Sequence, residues 1–249
     1  MSGKKSKIVI LAATLVLGVF LSDYYTLASD NLKTNKENIS WTRSFLKKQA
    51  SQNLDEVEIE INKVNKDTSI TKFDMNKAKS RFEDVVFLGD SIVEYLREAN
   101  ILDASSVLAQ KGEHVNQASK HLKEIKNLRP RQVVILYGAN DINAYSPEKY
   151  KEEYVKLVQD IKKIHPGIEV YIQAPLPVNE AKTVSKDSRV NNENIRLFTQ
   201  KTKEVAYKTG ANFLSSDGLV SSKAIYEQDG IHFKYEFYKN WLYFLSENI

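Results

Sequence analysis

The sequence contains no cysteine, and only five prolines and nine glycines occur among its 249 residues. The missing thiols exclude a disulfide framework, a cysteine nucleophile and any zinc or iron–sulfur site ligated by cysteine. Four histidines are too few for a histidine-rich metal cage. With 42% hydrophobic and 27% charged residues, the composition is that of one globular domain with an appendage, or of two small domains.

The sequence also has little excess of positive charge after its N-terminus. The formal net charge is +4, and Lys4, Lys5 and Lys7 at the N-terminus account for most of it. Residues 81–249 carry equal numbers of basic and acidic side chains. Because nucleic-acid enzymes concentrate basic charge on their working domain, we expect no nucleic-acid partner.

The N-terminal lysines precede an unbroken apolar run, residues 8–21, and this pattern is typical of a membrane-targeting segment. The run is shorter than the roughly 20 residues that a spanning helix needs, but extension to Leu27 reaches that length. We therefore expect residues 1–28 to be an uncleaved anchor in the cell membrane. A cleaved signal peptide, which would leave the protein secreted, and a buried helix are the alternatives. Either membrane interpretation places the rest of the chain outside the cytoplasm.

Residues 22–80 are rich in Asn, Lys, Ser and Glu and contain neither glycine nor proline. Apolar residues within this stretch recur at intervals of three and four, which predicts one face of a helix; they are Leu46, Ala50, Leu54, Val57, Ile61 and Val64. We expect residues 29–80 to form a partly helical extracytoplasmic stalk. A partner-binding or dimerising helix is the alternative, and the sequence leaves the oligomeric state open.

From about residue 81, short apolar runs alternate with polar segments of helical spacing. The runs are too short for helices and predict buried strands at residues 85–88, 107–109, 133–137, 170–174 and 211–214. Ser146 followed by Pro147 predicts a helix that ends at His165, and a second long helix is expected from about Ser188 to Lys208. The alternation predicts an α/β domain over residues 81–249, with a parallel sheet covered by helices on both faces.

Ligands of such sheets bind beyond the carboxyl ends of the strands, so the loops that follow the strands are the candidate functional segments. The first strand leads into Gly89-Asp90-Ser91, where a tight turn into a helix would expose the serine hydroxyl beside the positive helix end. A serine that only caps the helix is the alternative.

The loops after the second and third strands carry possible hydrogen-bond donors. Gly112 has an unshielded main-chain N–H, and Asn140 in Gly138-Ala139-Asn140-Asp141 has an amide that can point into a cleft. An ordinary turn and an Asx-turn are the respective alternatives.

Near the C-terminus, Asp229-Gly230-Ile231-His232 precedes a last helix that we expect to end near Trp241. An acid three residues before a histidine can curl back to accept the Nδ1–H of the imidazole. That contact fixes the tautomer and leaves Nε2 free to act as a base.

Together these segments strongly resemble the SGNH (GDSL-type) hydrolase family. The resemblance covers essentially all of residues 82–249, and its motifs occur in the family's order: Phe87-Leu88-Gly89-Asp90-Ser91, Gly112, Gly138-Ala139-Asn140-Asp141 and Asp229-Gly230-Ile231-His232. It implies a flavodoxin-like three-layer α/β/α sandwich with a parallel five-stranded sheet in the order 2-1-3-4-5.

The resemblance also implies a role for each residue. Ser91 would be the nucleophile, His232 the general base and then acid, and Asp229 the group that orients His232. The main-chain N–H groups of Ser91 and Gly112 and the side chain of Asn140 would form the oxyanion hole. The sequence departs from the family in its second motif, where the flanks of Gly112 are Lys111 and Glu113 instead of Asn and Gly-rich sequence.

The other common serine-hydrolase architecture does not fit, because Val93 stands where its G-x-S-x-G motif requires glycine. We therefore predict an ester hydrolase that works through an acyl-enzyme and needs neither cofactor nor metal. An acetylated cell-envelope or other extracellular glycan is the expected substrate, with a small ester as a simpler one. The alternatives are an O-acetyltransferase that uses the same triad and a noncatalytic glycan-binding or assembly protein on a hydrolase scaffold.

Overall fold

The structure is a computed structural model that describes residues 73–220 and 222–249. The predicted membrane anchor at residues 1–28 and most of the predicted stalk at residues 29–80 lie outside the described residues, so they stay predictions. Within the described ranges, no helix is both long and apolar enough to cross a membrane.

The few residues of the predicted stalk that the structure does describe contact the α/β domain. Ala78 is fully buried in its core, and Phe73 and Met75 pack against the same cluster of side chains. A single helical turn, α1 (Ala78–Arg81), leads into the first strand.

Five parallel strands form the central sheet. They are β1 (Val85–Gly89), β2 (Val107–Ala109), β3 (Gln132–Leu136), β4 (Glu169–Gln173) and β5 (Asn212–Leu214). Their order is β2-β1-β3-β4-β5, and every neighbouring pair is parallel. The predicted α/β class and strand order are therefore confirmed, and each predicted strand lies within one residue of an observed one at either end.

Alternate side chains of the strands enter two separate cores, which makes three layers. Val86 and Leu88 belong to one core and Val85 and Phe87 to the other. All five residues of β1 are buried, because helices cover both faces of the sheet and neither face needs polar residues.

Six further helices follow α1 along the described chain: α2 (Ser91–Glu98), α3 (Leu122–Leu128), α4 (Pro147–Ile164), α5 (Glu180–Thr183), α6 (Asn192–Thr209) and α7 (Tyr235–Asn248). Helix α4 begins as predicted, because the Ser146 hydroxyl accepts a hydrogen bond from the Lys149 N–H at 3.2 Å and Pro147 occupies the first turn. Helix α6 ends at Gly210, which adopts the left-handed conformation.

Two helix limits differ from the sequence-based expectation. Helix α6 begins at Asn192 and not near Ser188, because Asn191 caps it by accepting a hydrogen bond from the Asn194 N–H at 2.8 Å. Helix α7 continues past Trp241 to Asn248, since Leu245 extends its buried face by one more turn.

The strand order determines where a site can form. The chain leaves β1 toward one side of the sheet to make β2, and then crosses to the other side of β1 to make β3. Gly89, the last residue of β1, pairs with Leu136, the last residue of β3. The loops that follow these two strands therefore diverge at the same level and leave a crevice between them.

Candidate active site

The turn from β1 into helix α2 forms one side of this crevice. Asp90 is the N-cap of the helix, and its carboxylate accepts a hydrogen bond from the Ile92 N–H at 3.0 Å. Ser91 is therefore the first residue of the helix and not its cap, so its hydroxyl is available for another partner. A Cβ on Gly89 would lie 2.3 Å from Cγ2 of Val93, so only glycine lets the helix begin this close to the sheet.

The loop before helix α7 supplies the acid and the histidine. The Asp229 carboxylate accepts hydrogen bonds from the main-chain N–H groups of Ile231 and His232, both at 2.9 Å. Its second oxygen lies 2.5 Å from Nδ1 of His232. Burial alone would raise the pKa of Asp229, but these hydrogen bonds outweigh it and lower the pKa to about 2. The carboxylate is thus charged at any working pH and holds the Nδ1–H tautomer of the imidazole.

Ser91 and His232 meet at the crevice although 141 residues separate them in sequence. The Ser91 hydroxyl lies 2.8 Å from Nε2 of the imidazole. Hydroxyl, imidazole and carboxylate therefore form one continuous hydrogen-bonded chain, which is the arrangement that activates a serine as a nucleophile. The side chains of His232 and Asp229 are 36% and 37% exposed, so solvent and substrate both have access.

Asn140, in the loop after β3, faces the same crevice. Its side-chain nitrogen lies 3.1 Å from the carboxylate of Asp90 and 3.4 Å from the main-chain oxygen of Glu113. The contact with Asp90 orients the amide and uses one of its two N–H bonds. The other N–H makes only the longer, 3.4 Å contact with Glu113, and it is the one that a bound oxyanion could take over.

The turn after β2 contains Gly112, and the hydrogen bonds of this turn leave one main-chain N–H without an acceptor in the described part of the chain. The Gln110 N–H bonds to a β1 carbonyl at 3.3 Å, the Lys111 N–H bonds to the Glu94 carboxylate at 2.7 Å, and the Glu113 N–H bonds to the Gln110 oxygen at 3.1 Å. The Gly112 N–H has no acceptor among the described residues. It is the one main-chain donor of the turn that a ligand could use.

Two buried carboxylates flank the crevice. Burial raises the pKa of both Asp90 and Asp141 to about 7. Asp141 accepts a hydrogen bond from the Val115 N–H at 3.0 Å, and His114 lies beside it with Nδ1 3.6 Å from the carboxylate. Both acids therefore brace the chain around the crevice as acceptors of main-chain hydrogen bonds. Within the described ranges, no group of three or more potential ligands could hold a metal ion.

Several charged residues around the Gly112 turn were not predicted from the sequence. Glu94 lies one turn after Ser91 in α2 and contacts both Arg97 and the Lys111 N–H. Glu113 is buried beneath the turn with Lys120 and other polar side chains around it. The pair Glu94–Arg97 has a helical spacing, but the contacts of Glu94 with Lys111 and of Glu113 with Tyr137 join separate segments and no local pattern marks them.

The comparisons with known proteins concern the family and the fold. Residues 87–239 match the model of the GDSL-like Lipase/Acylhydrolase family. No curated protein matches the sequence. Among solved structures, the lipase/acylhydrolase from Enterococcus faecalis has a TM-score of 0.53 at 18% identity and covers 66% of this chain and 94% of its own.

Two structures from the genus Bacteroides are similar to the same degree. A GDSL-like lipase from Bacteroides thetaiotaomicron has a TM-score of 0.54 at 18% identity, and the match covers 75% of this chain and 94% of that one. A Bacteroides fragilis protein assigned as an acylhydrolase has a TM-score of 0.54 at 22% identity, over 74% of this chain and 92% of its own. At such identities the similarity shows a common fold.

Proposed function

This chain belongs to the GDSL-like lipase/acylhydrolase family, and on that premise we propose that it is a serine esterase that removes acetyl groups from cell-envelope or other extracellular glycans. The observation that carries the esterase assignment is the chain of contacts from the Ser91 hydroxyl through His232 to Asp229, with distances of 2.8 and 2.5 Å. The free N–H of Gly112 and the oriented amide of Asn140 support it, because ester hydrolysis needs donors for an oxyanion.

The proposed reaction proceeds through an acyl-enzyme. Nε2 of His232 accepts the Ser91 proton while the hydroxyl oxygen bonds to the ester carbonyl carbon, and the carbonyl electrons move to its oxygen. The Ser91 N–H, the Gly112 N–H and the Asn140 amide stabilise that oxyanion. When the tetrahedral species collapses, the bond to the alcohol breaks and His232 returns its proton to the leaving oxygen.

Water then completes the cycle. His232 takes a proton from the water as it attacks the acyl carbon, and passes the proton to the Ser91 oxygen as the acid departs. The Asp229 carboxylate stays ionised throughout, since its pKa is about 2, and stabilises the imidazolium in both steps. The His232 side chain is 36% exposed, so water can reach the acyl-enzyme, and we propose hydrolysis with acetyl transfer to a sugar hydroxyl as the alternative.

The segment beside the site favours a substrate with a short acyl group. The segment between β4 and α6 contains only the four-residue helix α5. Among the described residues of that segment, Val184 is the one large apolar side chain that is exposed. A lid for a long acyl chain would need a broader apolar surface, so we propose acetyl over long-chain esters.

We further propose that the catalytic domain works outside the cytoplasm, tethered to the membrane by residues 1–28. The lysine-flanked apolar run at residues 8–21 supports this location. An external protease should degrade the C-terminal domain of intact protoplasts. Protection of that domain until the cells are lysed would reject the proposal.

The decisive test compares activity on esters of increasing length. Wild-type protein should hydrolyse p-nitrophenyl acetate faster than the butyrate or octanoate, release acetate from O-acetylated wall glycan, and react with a fluorophosphonate probe. Ser91→Ala should lose all three. Ser105→Ala is the matched control, because Ser105 is exposed and forms no hydrogen bond within the described residues.

Each opposite result has a specific meaning. A wild-type protein that is inert toward every ester and toward the fluorophosphonate would refute the esterase. Retained turnover in folded Ser91→Ala would refute the nucleophile. Acetate that appears on an added acceptor glycan instead of in solution would identify the protein as a transferase.

A further inference from the structure

Glu113 is a buried carboxylate directly beside the Gly112 turn. Its side chain is only 1% exposed. Three donors from different parts of the chain surround it: the Tyr137 hydroxyl at 2.8 Å, the Lys120 ammonium at 2.9 Å and Nε2 of His121 at 3.1 Å. A carboxylate is rarely buried this completely unless its hydrogen bonds compensate for the lost water.

Lys120 connects Glu113 to the other end of the same turn. Its ammonium lies 2.6 Å from the side-chain oxygen of Gln110 and 2.9 Å from the carboxylate of Glu113. One cation therefore bridges the first and last residues of the turn that contains Gly112. The span of the turn depends on this bridge as well as on its main-chain hydrogen bond.

Glu113 also contacts the second candidate oxyanion donor. Its main-chain oxygen lies 3.4 Å from the side-chain nitrogen of Asn140. Its main-chain N–H closes the turn on the Gln110 oxygen at 3.1 Å. A displacement of Glu113 would therefore disturb both the turn that carries Gly112 and the Asn140 amide. No other residue of the Gln110–Glu113 turn contacts both Lys120 and Asn140.

We propose that Glu113 is a positioning residue for the oxyanion hole: with Lys120 it clamps the Gln110–Glu113 turn so that the Gly112 N–H stays aimed at the oxyanion. This inference depends on the proposed ester hydrolysis. Oxyanion stabilisation is effective because the donors are already in place and need not reorganise during the reaction. A clamp that fixes the turn before substrate arrives supplies that condition.

The charge state of Glu113 supports the clamp. Burial alone would raise the pKa of its carboxyl, but the hydrogen bonds from His121, Lys120 and Tyr137 outweigh burial, and the pKa lies below its ordinary value. The carboxylate is therefore ionised at neutral pH, and its ion pair with Lys120 is present whenever the enzyme works.

The test uses one buried and one surface variant of the full chain. Glu113→Gln removes the charge but keeps the shape. Lys120→Met removes the bridge at a side chain that is 44% exposed, and His121 and Tyr137 still donate to Glu113. Complete loss of an oxyanion donor costs roughly 10²–10³-fold in kcat. We expect misalignment to cost a part of this, about 10- to 100-fold in kcat for Glu113→Gln and about 3- to 10-fold for Lys120→Met, with KM for p-nitrophenyl acetate within about twofold.

The control variant is Lys123→Met, at an exposed lysine that forms no ion pair within the described part of the chain. A purely structural role would lower the melting temperature without changing recognition of the transition state. We therefore also measure the inhibition constant of a trifluoromethyl ketone, whose adduct with serine carries an oxyanion. It should weaken by the same factor as kcat/KM falls.

The inference is overturned if folded Glu113→Gln and Lys120→Met both keep kcat within twofold of Lys123→Met. It is also overturned if kcat falls while trifluoromethyl ketone inhibition is unchanged. Failure of the proposed function itself looks different, because wild-type protein would then hydrolyse no ester at all.

Discussion

The side-chain nitrogen of Asn140 lies 3.1 Å from the buried carboxylate of Asp90, the residue immediately before Ser91. The loop after β3 is thereby joined to the turn after β1, at the point where the chain reverses direction across the sheet. Because the other Asp90 oxygen caps helix α2, one carboxylate sets both the start of the nucleophile helix and the orientation of a candidate oxyanion donor.

Replacement of Asp90 by asparagine should separate these two functions. The new side chain can still cap the helix with its oxygen, but its N–H₂ would then face the N–H₂ of Asn140, and the two cannot hydrogen-bond. We expect kcat on an acetyl ester to fall about 10- to 100-fold. The fold should be retained at neutral pH, because the substitution removes a charge from a buried position and so does not add a cost of burial. Steady-state kinetics and thermal unfolding check this, and unchanged kcat would contradict the orienting contact.

Asp229→Asn should leave Ser91 and His232 in place but change the tautomer of the imidazole. The asparagine can turn its N–H₂ toward Nδ1, which moves the imidazole proton to Nε2 and removes the base that faces the serine. By analogy with other hydrolases of this type, we expect kcat to fall roughly 10⁴-fold at neutral pH. A loss of less than about tenfold would indicate that Asp229 has no orienting role.

Asp141 predicts a pH dependence of stability whose sign follows from its burial. Its pKa is 3.8 before burial and about 7 in the fold, so the native state binds more protons between these values. The free energy of unfolding should therefore fall as pH rises from about 4 to 7, by up to ~1.4 kcal/mol per pH unit, and this contribution should level off above 7.

The variant Asp141→Asn removes this proton while an amide oxygen can still accept the hydrogen bond from Val115. The stability of the variant relative to wild type should thus increase from pH 4 to 7, as measured by urea unfolding at several pH values. Asp90 also titrates in both proteins, but the charge of Asp141 contributes to its raised pKa, so Asp90 should lose its proton at a lower pH in the variant. Parallel stability curves would show that Asp141 is not the titrating group.

Gly230 and Ile231 separate Asp229 from His232, and Gly230 adopts a φ of +80°. A Cβ there would lie 2.8 Å from Cβ of Lys182 and 3.0 Å from the main-chain oxygen of Asn179. Gly218 has nearly the same φ, +77°, but a Cβ on it would meet nothing within 4 Å. Alanine substitutions at Gly218 and Gly230 therefore distinguish the effect of backbone strain from that of steric crowding.

We expect Gly218→Ala to cost about 1–2 kcal/mol of stability, the strain of the left-handed conformation, with unchanged kcat. Gly230→Ala should cost more and should also lower kcat, because crowding displaces the loop that holds the acid and the base. Equal effects of the two substitutions on stability and kcat would contradict the crowding.

The strands could be predicted from the sequence because a parallel sheet covered on both faces needs unbroken apolar runs, and β1 and β3 have them. The approach of Asp229 to His232 was predictable too, since three residues of loop suffice for it. The convergence of Ser91 with His232 was not predictable from spacing, and it rested on the resemblance to a family.

The environment of Glu113 could not be predicted in this way. Its partners Lys120 and His121 lie on a 3₁₀ segment and Tyr137 directly follows β3, and no helical or strand period relates them. The cap of α2 was also uncertain, because Asp90 and Ser91 are both good capping residues. Only the three-dimensional arrangement shows that Asp90 caps and that Ser91 is free.

The position of helix α7 has a consequence for how activity appears during folding. The helix begins at Tyr235, three residues after His232, and its Trp241 donates a hydrogen bond to Gln173 at the end of β4. A chain with its first four strands assembled would thus carry Ser91 without a partner imidazole. Upon dilution from denaturant, turnover should return only when the C-terminal helix docks, later than the recovery of far-ultraviolet circular dichroism.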